Sequence, residues 1–201
     1  MRRMPMIIEA FAAMPDKRLV VVGDGPEMEK ARAVAANAPN VTVLGFQPFS
    51  VLQEHMRNAR AFVFAAEEDF GISPVEAQAC GTPVIAFGKG GVLETVCGLD
   101  HPHPTGVFYP EQNAASLIEA VQAFEASGAR ITAQACRANA ERFSEARFER
   151  EMRQFVDLRL SASRQARQTT QYRAAQVVPA QVAPSLVPGD LSARVVPIKS
   201  V

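Results

Sequence analysis

The sequence lacks net charge and closely spaced cysteines. Its 201 residues carry 21 basic and 21 acidic side chains, which gives a formal net charge of +0. No overall positive field therefore gathers phosphate backbones, and nucleic acid is not expected as a partner. Cys80, Cys97 and Cys136 share no Cys-x-x-Cys spacing. Neither a zinc site nor a disulfide framework is expected, and reduced thiols are predicted.

Long apolar runs are also absent. No segment approaches the ~18 apolar residues of a membrane span. The N-terminal MRRMPMIIEAF lacks the apolar core and cleavage site of a signal peptide, so we expect a cytoplasmic protein. His101 and His103 lie in a proline-broken loop with no third ligand nearby, and no metal site is expected there.

Three common catalytic or nucleotide-binding motifs are missing or broken. No P-loop segment G-x-x-x-x-G-K-[ST] and no G-x-S-x-G nucleophile elbow occurs. Gly23 and Gly25 follow an apolar run, but Met28 takes the third glycine position of G-x-G-x-x-G, and the run at 41–44 ends in Gly45 instead of an acid. The dinucleotide fingerprint is thus broken twice, and GDGP is interpreted as a turn before a helix.

The sequence does contain a regular alternation of helical and strand segments. Each apolar run is followed by glycine or polar residues, which predicts an α/β, Rossmann-like, doubly wound parallel sheet. LVVV is predicted to be buried on both faces. The predicted strands are 19–22, 41–44, 61–65, 84–87 and 107–109. The predicted helices lie near 6–14, 26–37, 50–59, from 74, 91–97, 112–127, 130–140 and 144–160.

The length fits one domain and a tail. We place the boundary after residue 160, because the sequence from Ser161 loses periodicity and gains proline, glutamine and serine. Residues 161–201 are predicted to be disordered. From Arg159 onward there are six basic residues and one acidic residue. That charge suits an anionic membrane or a partner, while a solvated tail is the ordinary interpretation of such a composition.

The segment EEDFGISPVEAQACGTPVIAF, residues 67–87, places carboxylates at the carboxyl end of a predicted strand. Ligands of open parallel sheets bind at this end. The following helix start offers free N–H groups suited to phosphate, and Gly71 lets a ligand approach closely. A carboxylate one turn into the helix can accept hydrogen bonds from sugar hydroxyls. Together these features predict a sugar-nucleotide site.

Structural interpretations of the same residues stay open. Ser73 suits a helix N-cap, Pro74 the first helical position, and Glu76 completes a Ser-x-x-Glu capping box. Glu76 would then only steady the helix start. The acidic run 67–69 could be a solvated loop that complements the helix N-terminus. The glycine-rich segment 88–91 either closes the cleft or forms a flexible turn.

Glu68, seven intervening residues and Glu76 resemble the E-x7-E segment of retaining glycosyltransferases with the GT-B fold. This family includes bacterial mannosyltransferases of surface polysaccharide assembly and the sucrose and glycogen synthases. The flanks LVVVGDGPEMEKAR, NVTVLGF, TGVFYPEQNAASLIEAV and FSEARFEREMRQFV are similar to successive stretches of its C-terminal domain. The resemblance covers residues 1–157. It implies that residues 1–160 are a nucleotide-sugar-binding Rossmann domain whose first strand is missing.

The resemblance implies a role for each site residue. Glu68 would contact donor-sugar hydroxyls near the reacting centre, as the candidate catalytic residue, and Glu76 would bind the ribose hydroxyls. Arg2 stands where members carry a lysine at the leaving pyrophosphate, and its guanidinium can replace that charge. Further donor contacts would come from Phe70 and Gly71 to the sugar, and from the N–H groups of Ile72 and Ser73 to the pyrophosphate.

The implied reaction is retaining transfer of a hexosyl group from a nucleotide-diphosphate sugar to a polysaccharide or lipid-linked acceptor. No metal or other cofactor is expected, and GDP-mannose is favoured because the likeness is closest to bacterial mannosyltransferases. The family's Gly-Arg-Leu strand and N-terminal, acceptor-binding half are not in this sequence, so that half is an expected partner and this chain alone is expected to be inactive. A lipid-linked acceptor implies peripheral contact with the inner face of the membrane. The alternative is a non-catalytic fragment that binds a sugar nucleotide or a partner without transfer.

Overall fold

The computed structural model describes the backbone of residues 3–176 and the side chains of residues 3–167. The chain divides into two compact units, Met1–Glu151 and Met152–Val201. The strands are β1 (Leu19–Val22), β2 (Val41–Gly45), β3 (Phe62–Phe64), β4 (Val84–Phe87) and β5 (Gly106–Tyr109). The helices are α1 (Met4–Ala12), α2 (Met28–Ala35), α3 (Phe49–Asn58), α4 (Ile72–Ala79), α5 (Val92–Thr95), α6 (Ala114–Ala126), α7 (Ala133–Ala140) and α8 (Glu145–Gln176).

The predicted α/β class with parallel strands is confirmed. All three strand pairs are parallel, and β4 lies between β3 and β5 in a three-stranded sheet. β1 and β2 form a second, two-stranded sheet. Within residues 3–176, no strand pairs with the second edge of β1 or of β3. The predicted single sheet is therefore divided in two.

Burial of β1 differs from the prediction. Val21 packs with Ile8 of α1 and Ala31 of α2 in a small core cluster. Val20 points to the opposite face and is 44% exposed. The prediction of burial on both faces is wrong for this strand, because α1 and α2 cover only one of them.

The largest core cluster lies between α1, α6 and the three-stranded sheet. Ile7 and Phe11 of α1 are buried together with Ile85 of β4, Tyr109 of β5 and Leu117 of α6. Each apolar side chain buried in this way stabilises the fold by about 1.5–3 kcal/mol. This core supports the central strand β4, whose four residues are all buried. It thereby holds in place the carboxyl ends of β3 and β4, where the predicted site lies.

The last helix continues beyond its predicted end. α8 runs to Gln176 and is exposed along its described length after residue 147. The prediction of disorder is wrong for residues 161–176, because this stretch contains no proline or glycine and is rich in arginine, alanine and glutamine, which favour helix. Residues 177–201 lie outside the described residues. Disorder and any partner contact there stay predictions.

Three observations bear on the expected compartment and cofactors. Cys80, Cys97 and Cys136 are free. In the described part of the chain, no helix combines the length and apolar character needed to cross a bilayer. The same residues contain no group of three or more His, Cys, Asp or Glu side chains placed to hold a metal ion. Metal independence of the chemistry stays a prediction.

Candidate functional site

The start of α4 is the centre of the predicted site. α4 begins at Ile72, and Gly71 is its N-cap with φ 78° and ψ 72°. The predicted N-cap at Ser73 and first helical position at Pro74 are wrong by two residues. The helix starts earlier because Gly71, without a Cβ, adopts the left-handed conformation that turns the chain into it.

Glu76 does not cap this helix. No side chain caps α4, and Glu76 lies five positions after Gly71, too far along for a capping box. Its side chain is half-buried. Among the described residues, no hydrogen bond or ion pair involves its carboxylate. The capping interpretation is therefore wrong, and the carboxylate is available to accept hydrogen bonds.

The acidic run before α4 is exposed. Glu67, Glu68 and Asp69 are all exposed residues. Lys89 lies 3.9 Å from the Glu67 carboxylate, with both side chains more than half exposed, so this pair contributes little to stability. Within residues 3–176, the Glu68 carboxylate has no ion pair or hydrogen bond. It is open to a ligand from solvent.

The glycine-rich segment after β4 supports the acidic run through backbone contacts. The Gly91 N–H donates to the Glu68 carbonyl oxygen at 2.8 Å. A Cβ at Gly90 would lie 2.5 Å from the same oxygen, and one at Gly91 would lie 2.3 Å from the Asp69 carbonyl oxygen. Only glycine permits so close an approach. The segment packs against the acidic loop and is not a free turn.

Distant side chains also hold this loop. The Phe143 ring meets the Phe70 ring edge-on, with centroids 5.6 Å apart. The Gln112 side-chain amide donates to the Ala65 carbonyl oxygen at 2.9 Å. Sequence reasoning gave neither partner a role, because each lies more than 40 residues from its contact and no local pattern joins them.

An open cavity of about 490 Å³ lies beside α4. Of the predicted site residues, Phe70, Ile72 and Glu76 line it, together with residues of α7 and the turn after it. Glu68, Gly71 and Ser73 belong to the adjoining loop and helix start and do not line the cavity. Arg2 lies outside the described residues. The residues of α7 and of the segment after it that line the cavity are Arg137, Ala140, Glu141, Phe143 and Ser144.

The helix start has the electrostatic character of an anion site. The first-turn N–H groups of Ile72 and Ser73 have no acceptor within the helix, and Pro74 has no N–H. The two free N–H groups contribute to the partial positive charge of the helix N-terminus, which favours the binding of phosphate. Glu68 and Glu76 lie on either side of it in the chain. The arrangement can thus bind an anionic group and hydroxyl groups next to each other.

The parallel strands and the uncapped start of α4 define a Rossmann-like α/β domain with a site suited to an anionic ligand. Residues 2–143 match the family model described as "Glycosyl transferases group 1". The match spans more than half of the chain, and the chain belongs to this family of GT-B glycosyltransferases.

Curated relatives are identical to this chain at about a third of the positions in the aligned stretches. The chain is 36% identical over 104 residues to a GDP-mannose-dependent monoacylated alpha-(1-6)-phosphatidylinositol monomannoside mannosyltransferase of Corynebacterium glutamicum, covering 47% of this chain and 26% of the relative. It is 35% identical over 92 residues to a 2-deoxystreptamine N-acetyl-D-glucosaminyltransferase of Streptomyces fradiae, covering 44% of this chain and 22% of the relative. The chain thus matches about a quarter of each relative's length.

Solved structures share the fold. Sucrose-phosphate synthase from Thermosynechococcus elongatus superposes with a TM-score of 0.64 and 27% identity, covering 79% of this chain and 42% of that one. Anabaena HepE in complex with UDP and glucose gives a TM-score of 0.60 at 24% identity, covering 76% of this chain and 44% of that one. The second likeness shows the fold alone.

Proposed function

We propose that this chain is the donor-binding half of a retaining glycosyltransferase that uses a nucleotide-diphosphate sugar, with GDP-mannose as the preferred donor. The observation that supports this proposal most is that the carboxylates of Glu68 and Glu76 make no hydrogen bond or ion pair with the described residues and flank the free amides that start α4. A relative whose name specifies GDP-mannose supports the choice of donor. Relatives that transfer other sugars make UDP-glucose the competitor to test.

The proposed binding mode follows from the order of these groups along the chain. The N–H groups of Ile72 and Ser73 bind the pyrophosphate, because they are the first unsatisfied amides of α4. Glu76 accepts hydrogen bonds from the ribose hydroxyls. Glu68 and the backbone of Phe70 and Gly71 contact the transferred sugar.

The proposed chemistry needs positioning more than reactive side chains. The bond between the sugar anomeric carbon and the diphosphate oxygen breaks, and a bond from that carbon to the acceptor oxygen forms on the same face. The acceptor's proton passes to the leaving diphosphate, so no protein base and no metal are required. The helix start stabilises the charge that develops on the diphosphate. Arg2 would add a cation there.

The acceptor side lies beyond this chain in the proposal. An N-terminal half, in a longer product or a separate chain, supplies the acceptor site, since the chain matches only 22–26% of the two relatives described above. This chain alone then binds donor without transferring the sugar. A lipid-linked acceptor would bring the cytoplasmic enzyme to the inner membrane face as a peripheral protein.

Titration calorimetry tests the donor assignment directly. GDP-mannose, UDP-glucose, GDP and UDP are titrated separately into the full chain. We expect GDP-mannose to bind more tightly than GDP, and GDP more tightly than UDP. Tighter binding of UDP-glucose would replace the proposed donor with a uridine one. Binding by none of the four would overturn the proposed function.

The Glu68→Gln change tests the sugar contact. We expect it to weaken GDP-mannose binding by about tenfold and to leave GDP binding unchanged, because a charged acceptor is lost only where the sugar lies. Both affinities are measured by calorimetry. Glu67→Gln is the matched control, since Glu67 is an exposed neighbour whose Lys89 contact is 3.9 Å long, and it should change neither affinity. Equal losses for GDP and GDP-mannose would refute the assignment of Glu68.

A further inference from the structure

A buried amide network joins three of the helices around the site. Gln78 of α4 and Asn139 of α7 are 0% and 7% exposed, and Thr95 at the end of α5 is fully buried. The Asn139 side-chain N–H group donates to the Gln78 Oε1 at 2.7 Å and to the Thr95 carbonyl oxygen at 2.9 Å. The Gln78 Nε2 donates to the same carbonyl oxygen at 2.9 Å. Three separate segments therefore meet at two side-chain amides.

The network satisfies its own polar groups. The Gln78 Nε2 also donates to the Pro74 carbonyl oxygen at 3.1 Å. The Asn139 Oδ1 accepts from the Arg142 guanidinium at 2.8 Å. A buried network with every member paired holds its elements in one arrangement, while loss of one member leaves the others unpaired at a cost. Asn139 is the residue of α7 that links this helix to Gln78 of α4 and to Thr95 of α5.

Thr95 connects the network to the acidic loop. Its backbone N–H and its hydroxyl both donate to the Gly91 carbonyl oxygen, at 3.1 Å and 3.2 Å. Gly91 in turn donates its N–H to the Glu68 carbonyl oxygen at 2.8 Å. A continuous chain of hydrogen bonds thus runs from Asn139 to the residue proposed to contact the donor sugar.

A second contact from the same segment reaches the loop. α7 continues into a 3₁₀ turn, Glu141–Phe143, and the Phe143 ring packs edge-on against the Phe70 ring. Phe70 lies two residues after Glu68. The segment from Asn139 to Phe143 therefore supports the acidic loop both through α5 and directly.

We infer that Asn139 is a positioning residue for the sugar-nucleotide site, acting through Gln78 and Thr95 on α4 and on the acidic loop. The inference rests on the proposed function for its effect on donor binding. Asn139 touches no donor group in this arrangement. It keeps the Gly90–Gly91 segment seated against Glu68, and it keeps α4, which carries Glu76, fixed to α7.

The Asn139→Leu change tests this role with two measurements on the full chain. Hydrogen–deuterium exchange of the unliganded protein, followed in peptides that cover residues 66–80, should be faster by about fivefold or more, because a loss of roughly 1 kcal/mol in local opening has that effect. GDP-mannose affinity, measured by calorimetry, should fall by about tenfold. Asn139→Asp keeps the side-chain shape and the Arg142 contact but loses both donated hydrogen bonds. It should also speed exchange and weaken GDP-mannose binding. If the leucine variant does not fold, the aspartate variant alone tests the role of Asn139.

Thr132→Ala is the matched control. Thr132 caps α7 by accepting from the Ala135 N–H at 3.1 Å, so its loss weakens the same helix without touching the network. It should leave exchange in residues 66–80 and donor affinity unchanged. An equal effect from Thr132→Ala would overturn the specific role of Asn139.

The two measurements separate this inference from the proposed function. If the unmodified chain binds no sugar nucleotide, the proposed function fails, and the exchange experiment alone decides whether Asn139 supports the loop. If the chain binds donor but the Asn139 variants exchange and bind as the unmodified chain does, the inference is wrong and the proposed function stands. Faster exchange with weakened binding supports both.

Discussion

Replacing Gly91 with alanine is expected to weaken sugar-nucleotide binding by more than about tenfold and to lower the free energy of unfolding by about 1–3 kcal/mol. The new Cβ would lie 2.3 Å from the Asp69 carbonyl oxygen and 2.5 Å from the Phe70 Cα. Both are backbone atoms, which cannot yield as the end of a flexible side chain can. The acidic loop must therefore move away and lose its hydrogen bond to Gly91. Calorimetry with GDP-mannose and urea unfolding measure the two effects.

The Gly91→Ala change separates this steric effect from any effect of backbone strain. Its φ of −62° and ψ of −17° are ordinary for any residue, so alanine adds no backbone strain there. Gly128→Ala is the complementary control, because Gly128 has φ +56° and no atom within 4 Å of a new Cβ. That change should cost about 1 kcal/mol of stability from backbone strain and leave donor affinity unchanged. Normal donor binding by Gly91→Ala would mean that the acidic loop does not depend on its glycine support.

The Glu76→Gln change is expected to lower GDP affinity by more than about tenfold, from the loss of roughly 1.5–3 kcal/mol of charged hydrogen bonding to the ribose. GDP-mannose affinity should fall equally, since both ligands contain the ribose. Stability should barely change, because Glu76 makes no cap or ion pair within the described residues. Calorimetry with GDP and thermal unfolding test these expectations together.

The control for this change is Glu119→Gln, at an exposed position of α6. It removes the same charge from the chain and should alter neither affinity nor stability. If Glu76→Gln folds and binds GDP as the unmodified chain does, the carboxylate has no part in ribose binding, and the assignment fails.

The strands could be predicted because local composition determines them. VIAF and LVVV are short apolar runs bounded by glycine or polar residues, and both strands have the predicted limits. The split between the two sheets could not be predicted, since strand order depends on contacts between distant segments. The extra length of α8 was missed for a different reason. Loss of apolar periodicity was interpreted as disorder, although helix propensity persisted to Gln176.

The candidate site was predictable where its pattern is local. Glu68 and Glu76 were predicted as site residues from their resemblance to an E-x7-E segment, and the anion-binding helix start was predicted from its place after the strand at 61–65. The exact N-cap of α4 could not be predicted. Ser73 and Pro74 are a stronger local signal for a helix start than Gly71, which is the N-cap in the structure and has a left-handed conformation. The contacts of Phe143 with Phe70 and of Asn139 with Gln78 and Thr95 join residues 44 or more positions apart, and a single sequence contains no sign of such pairings.

The edges of β1 and β3 that no strand of residues 3–176 covers have a consequence for the behaviour of the isolated chain at high concentration. Such an edge is a row of free N–H and C=O groups, and it templates the addition of any compatible strand. LVVV has three β-branched residues, no charge and no proline, a composition that favours edge-to-edge stacking between copies. Its Val20 adds an exposed apolar side chain beside that edge. Colloidal stability of this chain therefore depends on whether a strand covers these edges, quite apart from how well its core is packed.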